Sequence, residues 1–382
     1  MSDVPVPAMI PVEPFSGTPE LWDAVRTRVT APAVSDRATI TKVLERLEQF
    51  LEHPGSRMAL EHSRTANPPP KCVLVGAPDA EACSSVWVIG DTHGDLLALE
   101  ASLAAIDALD PTGTIVFLGD LIDDGPYSFE VLLCVFELVT SKPQRVCVLG
   151  GNHDLSLYEK LNAAGLPEFA SGVEPGDFAE WLQGHADDPI FARCGRAAIR
   201  FFAATPRALV FPQGLLISHG GFPHADVLAS LVDAAGLEQK LCLDDFAWAR
   251  IANVPKKLPN RYNRGHQFGW KNFEEFSTAL EKAVGVRLTR MVRGHDHIDA
   301  SARFDNPGGG WGHRVVTVNN LCFRQAREMV GGLPFERQPC LLRWEVKRGE
   351  DGFTVVPLQI PAELVAEIYA APTAREVGVS TV

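Results

Sequence analysis

Five times in this chain, an apolar run of strand length ends in glycine or serine and then in side chains of the metal-binding type. The segments are Ile89-Gly90-Asp91-Thr92-His93-Gly94-Asp95, Leu118-Gly119-Asp120-Leu121-Ile122-Asp123-Asp124-Gly125-Pro126, Leu149-Gly150-Gly151-Asn152-His153-Asp154, Ile217-Ser218-His219-Gly220-Gly221 and Val292-Arg293-Gly294-His295-Asp296-His297. Parallel sheets collect ligands beyond the carboxyl ends of their strands. Five such strands in one sheet would therefore converge on one crevice. Glycines beside the ligands let backbones approach without a Cβ clash.

The second segment is the most demanding. Asp120, Asp123 and Asp124 fall within five residues, and like charges that close repel unless a cation sits among them. We read that cation as a pair of metal ions bridged by Asp120. Five of the 11 histidines fall in the five segments. Imidazole, carboxylate and amide oxygen together suit manganese, iron or zinc rather than a thiolate-seeking metal. Two ions about 3.5–4 Å apart describe a two-metal hydrolase.

Around these segments, strand-length apolar runs alternate with helical periodicity, which argues for a parallel sheet covered on both faces. Strands are predicted at 85–89, 114–118 and 145–149, with helices at 96–109, 129–139 and 155–161. Residues 160–210 read as helical and aromatic. Further strands at 214–218, 288–292, 314–318, 341–346 and 353–358 suggest an antiparallel or mixed second sheet. Residues 1–70 read as a helical N-terminal extension whose apolar stripes pack on the main domain. Residues 71–370 form the catalytic domain, and 371–382 a flexible tail. Amphipathic spacing at Leu21, Trp22, Val25 and Val29, and at Ile40, Val43, Leu44, Leu47 and Leu51, defines the two N-terminal helices.

The net charge of −13 and the lack of a Lys/Arg block exclude a basic nucleic-acid face. No run of about 18 apolar residues is present, so no membrane span is expected. None of the eight cysteines forms a CxxC pair, and several lie in apolar runs, as expected of buried thiols in a reducing, cytoplasmic setting.

In register, GDTHG, GDLIDDG, GNHD, SHGG and RGHDH resemble the signature of the calcineurin-like metallophosphoesterases. More narrowly they resemble its phosphoprotein-phosphatase branch. That likeness extends to Thr205-Pro206-Arg207-Ala208-Leu209 and to Asn263-Arg264-Gly265-His266-Gln267-Phe268-Gly269, and covers about residues 84–325. The resemblance implies a four-layer αββα sandwich of class α/β. It implies one metal on Asp91, His93, His297 and Asp120, and a second on Asn152, His219, His295 and Asp120. His153 would protonate the leaving group, oriented by Asp123, while a metal-bridging water attacks phosphorus. Arg264 would bind the substrate phosphate, with Arg293 as a further cation. A phosphorylated protein or small phosphoester would be the partner, and the oligomeric state stays open.

The chain departs from that branch at Asp124, where an arginine usually grips phosphate. It departs again at Gly294-His295-Asp296-His297, whose Gly-His-x-His pattern is commoner in the wider superfamily. Both favour a nucleotide-polyphosphate (diadenosine tetraphosphate-type) or phosphodiester hydrolase as the alternative. A non-catalytic scaffold is the rival from another class. If Asp124 faces the crevice, a plain dianionic phosphate is disfavoured. Arg293 has an alternative of its own, an ion pair with a buried acid. Asp95 and Asp154 are candidates for accepting histidine N–H groups, and His185, His266 and His313 read as structural.

Overall fold

The computed structural model describes residues 10–31, 36–53, 55–61, 69–259, 265–296, 302–304, 312–322 and 337–369. Its centre is two sheets. The first has five strands in the order Phe353–Pro357, Cys340–Glu345, Ser85–Ile89, Thr114–Phe117 and Val146–Val148, the last three parallel. The second has six, in the order Cys72–Leu74, Ala208–Val210, Leu215–Ser218, Arg290–Arg293, Val315–Val318 and Ala302–Phe304.

Alternation along each strand decides the layering. Val86, Val88, Val116, Leu118 and Cys147 share one core with Leu209, Ile217, Val292 and Val316 of the second sheet. Their strand neighbours Trp87, Ile89, Ile115 and Phe117 point the other way, into a core with helices Leu96–Leu109, Ser128–Ser141 and Pro189–Ala204. On the far side, Leu216, Met291 and Val315 pack with Phe246, Phe273 and Phe276 of helices Lys240–Trp248 and Trp270–Val284. The result is helix, sheet, sheet, helix, the αββα arrangement that the family resemblance implies.

The N-terminal helices Pro19–Thr30 and Arg37–Glu52 bury Trp22, Val25, Val29, Ile40, Val43, Leu44 and Leu47 in the outer helical core. Thr18 and Asp36 cap them, each accepting from a backbone N–H of the first turn. Rim ion pairs Arg28–Glu100, Arg46–Glu137 and Arg193–Glu48 join these helices to the main body.

The five motif-bearing strands divide as the strand pattern suggests, three in the five-stranded sheet and two in the six-stranded one, so their ends meet between two sheets rather than beyond one. Two expectations need correction. The strands Cys340–Glu345 and Phe353–Pro357 extend the first sheet as antiparallel edge strands rather than joining the second. The segment 155–161 is not a helix. A short 3₁₀ turn at Asp154–Ser156 leads into the strand Leu157–Leu161, paired with Pro167–Ser171. Turn chemistry overrides the apolar spacing there: Asn162 Oδ1 accepts from Ala164 and Leu166, and Gly165 takes φ +74°. Among the described residues, no helix is long and apolar enough to cross a membrane. All eight cysteines are free, and seven are buried.

Candidate metal centre and its acid–base pair

The site forms where the carboxyl edges of the two sheets meet. Asp91 crosses the seam. It forms a β-bridge with Asn319 of the second sheet, and its Oδ2 accepts from the His295 backbone N–H at 2.7 Å. The loops after Ile89 and Phe117 are tied together in turn, with Thr92, His93 and Gly94 donating to Asp120 and Leu121 carbonyls. Gly151 passes so close to Asp120 that a Cβ there would strike its backbone nitrogen and carboxylate. Among the described non-glycine residues, seven have positive φ, and five of them are His93, Asp120, Asp123, Asp124 and His295. Strain concentrated in this way marks a site held by its surroundings.

Two buried donor clusters share Asp120: His93, Asp120 and His153, and Asp120, His219 and His295. In the second, His219 Nε2 lies 3.0 Å from Asn152 Oδ1, 3.2 Å from His295 Nδ1 and 3.2 Å from Asp120 Oδ2. In the first, His93 Nε2 is 3.6 Å from Asp120 Oδ2. Four lone-pair donors about 3 Å apart match the spacing of ligands around a cation with metal–ligand bonds of ~2.1 Å. His219 Nδ1 is buried without a hydrogen-bond partner, though Asp91 Oδ1 stands 3.6 Å away. The residues fit a pair of divalent cations.

His153 sits differently. Its backbone N–H donates to Asp120 Oδ1 at 2.8 Å, and Nδ1 is 2.9 Å from Asp123 Oδ2. Asp123 Oδ1 accepts from Phe178 N at 3.0 Å, at the start of helix Asp177–Gly184. Its orientation is thus fixed from both sides. Burial pushes the His153 imidazole down, but the charges of Asp120, Asp123 and Asp124 outweigh it and raise it to about 9. Burial also works against the Asp120 carboxylate, yet His219, His153 and His93 hold it well below the usual range. Burial and the Arg250 charge drive His295 well below its ordinary value, which leaves a neutral ring at pH 7.

The structure brings together six of the seven proposed ligands: Asp91, His93, Asp120, Asn152, His219 and His295. His297 and Arg264 lie outside the described residues. Arg293 does not reach the crevice. Its side chain is wholly buried, with Nε donating to Gly220 O and Nη1 to Asp296 Oδ2 at 2.6 Å. The ion pair with a neighbouring acid is the reading that holds, with Asp296 itself only partly buried. Asp154 and Asp95 do not serve histidines. Asp154 accepts from the backbone N–H groups of Asp120, Leu121 and Gly151, and Asp95 from those of Ala98 and Cys322 and from the Tyr369 hydroxyl. The His93 Nδ1 partner is instead the Ile122 carbonyl, at 3.1 Å.

Asp124 turns inward. Its side chain is 3% exposed, and Oδ2 lies 3.8 Å from His93 Nδ1. Its N–H donates to Asp177 Oδ1, and burial beside Asp123 pushes the Asp177 carboxyl up to about 6. Arg250 and Asp177 have no motif signal and were found only through the fold. Arg250 Nη1 binds the His295 carbonyl at 3.0 Å and Asp296 Oδ1 at 2.6 Å.

Residues 84–299 match the family model of the calcineurin-like phosphoesterases. The chain belongs to that family. It is 27% identical over 253 residues to a probable serine/threonine-protein phosphatase of Encephalitozoon cuniculi, covering 64% of this chain and 49% of that one. It is 25% identical over 252 residues to the serine/threonine-protein phosphatase 6 catalytic subunit of Caenorhabditis elegans, covering 63% and 66%. The chain thus spans between about half and two thirds of these relatives' lengths. A protein serine/threonine phosphatase from Saccharomyces cerevisiae shares the fold, with a TM-score of 0.56 at 17% identity over 88% of this chain and 95% of that one.

Proposed function

We propose that this calcineurin-like phosphoesterase hydrolyses phosphomonoesters, with phosphoserine and phosphothreonine in proteins as the leading substrate class. The observation that carries this reading is the Asp123–His153 pair set against Asp120, the residue shared by both donor clusters. Asp91, His93, His297 and Asp120 would hold one divalent ion, and Asn152, His219, His295 and Asp120 the other. Manganese, iron or zinc, when bound there, supplies Lewis acidity toward water and phosphoryl oxygen. Everything else is done by side chains. Asp123 fixes the His153 tautomer through Nδ1, so the proton available to the leaving oxygen is the one on Nε2. The lowered pKa of His295 keeps its lone pair free at pH 7. Arg264 is retained as the phosphate-contacting cation.

One observation favours a second reading. The buried Asp124 carboxylate lies beside the Nδ1 edge of His93, at the position where the phosphoprotein-phosphatase branch usually carries a phosphate-gripping arginine, so that cation is missing for a dianionic phosphate, whereas a diester or an internal polyphosphate link carries less charge per phosphorus. A nucleotide-polyphosphate or phosphodiester hydrolase is therefore the alternative. A panel with manganese decides: a phosphopeptide, p-nitrophenyl phosphate, its bis ester and diadenosine tetraphosphate. A higher kcat/KM on the phosphopeptide supports the leading reading, and preference for the dinucleotide or bis ester overturns it. No metal-dependent turnover on any of them leaves the scaffold reading. The free, mostly buried cysteines support a reducing, cytoplasmic setting, and the acidic charge balance supports a partner other than nucleic acid.

A further inference from the structure

A second group of metal-type side chains lies outside the centre just described. His224 follows the strand Leu215–Ser218 by a short loop, Asp245 lies on helix Lys240–Trp248, and His266 opens the strand His266–Phe268. Three separate segments thus converge, and one donor atom from each lies within 4.8 Å of the other two. His224 Nδ1 is 2.7 Å from Asp245 Oδ2, and the two imidazoles are tilted by 53° with centroids 4.7 Å apart. His224 and Asp245 are buried, and His266 is half-buried.

Backbone packing makes the convergence possible. Gly220 donates to the Phe246 carbonyl, and a Cβ at Gly221 would strike the Phe268 ring and Ala249. The two glycines after His219 therefore press the His224 loop onto the end of the helix and onto the His266 strand. A buried histidine–carboxylate pair needs one imidazole. A second imidazole brought to the same carboxylate from a third segment has the composition of a His₂–carboxylate cation site.

We propose that His224, Asp245 and His266 bind a third divalent cation of borderline softness, zinc foremost. This goes beyond the reading of the Asp120 centre and uses none of its ligands. Three protein ligands leave a coordination position open to water or to an anionic group.

Equilibrium dialysis of the full chain against zinc, with magnesium in excess, counts bound ions by elemental analysis. Wild type is expected to hold three per chain and His266→Gln two, with Asp245→Asn also at two. Because His266 is half-buried, its variant is the one best placed to keep the fold, and a cooperative melt checks it. The zinc-induced rise in Tm should be smaller in His266→Gln than in wild type. Equal zinc content and equal Tm response in wild type and His266→Gln overturn the third site. Asp120→Asn separates the two ideas: unchanged zinc content there counts against the Asp120 centre and leaves the third site standing.

Discussion

The two sheets hold their halves of the centre by different physics. On the five-stranded side, Asp154 gathers the N–H groups of Asp120, Leu121 and Gly151, so the loops are fixed by hydrogen bonds to one buried carboxylate. On the six-stranded side, Asp296 stands between Arg250 and Arg293, and those guanidiniums hold its carboxyl far below the usual range despite its burial. One half is braced by backbone donors, the other by an ion triad in which Arg293 alone is fully buried. A backbone cradle sets position with little net charge. A triad built on a buried arginine is costly to break, because the Arg293 charge left behind has lost its water. The Asp123–His153 pair, the proposed acid and its orienting carboxylate, belongs to the first half, and its position depends on no buried arginine.

That contrast places the largest effect at His153. Replacing it with alanine should lower kcat by roughly 10²–10⁴ on esters whose leaving alkoxide needs a proton. The loss should be much smaller on p-nitrophenyl phosphate, whose leaving group departs as a stable anion. Equal losses on both substrates would show that His153 binds rather than protonates. On the opposite half, Asp296→Ala should cost about 3–5 kcal/mol of unfolding free energy in urea, since Arg293 is left buried and unpaired. Arg250→Ala, at a partly exposed position, should cost about 1 kcal/mol. If the two variants cost the same, Asp296 is not the brace of that half.

A smaller effect is expected at Asp124. Asp124→Asn should lower KM for a dianionic phosphomonoester several-fold, about 1 kcal/mol, and leave KM for a bis ester nearly unchanged. A parallel change on both substrates would mean that Asp124 shapes the loop rather than reading charge.

What could be read from the sequence divides along the same seam. On the five-stranded side, strand, glycine and metal-type side chain follow one another so closely that Asp91, His93, Asp120 and Asn152 were legible as candidates, while the Asp123–His153 pairing came only from the family resemblance. On the other side, His219 and His295 were legible but their brace was not. Arg250 lies in a segment with no motif, and its partner Asp296 reads as one more acid in a histidine-rich run. Arg293 sits beside a ligand in sequence, yet the strand points it into the core. The place of Cys340–Glu345 and Phe353–Pro357 on the first sheet rather than the second was equally hidden. Each apolar run reports that a strand is buried, not which partner strand it takes. Asp154 was misread because sequence adjacency to a histidine carries no information about which backbone N–H groups the fold brings near.

The smallest effect concerns Asp177, at the mouth of the acid–base pair. Its folded pKa is raised from 3.8 to about 6 by burial and by Asp123. Between these values the native chain binds more protons than the unfolded one, so stability falls as pH rises through about 4 to 6, and the penalty is complete above that window. Neighbouring groups desolvate the carboxyl, but the residue as a whole is exposed, so solvent screening reduces the penalty to under about 1 kcal/mol. Asp177→Asn keeps an oxygen for the Asp124 N–H and removes the charge. It should be slightly more stable than wild type at pH 7 and indistinguishable from it below pH 4, measured by urea unfolding across that range. A variant less stable at pH 7 would mean that the carboxylate is held by a cation at this mouth, and would extend the charge-braced description from the six-stranded half to the five-stranded one.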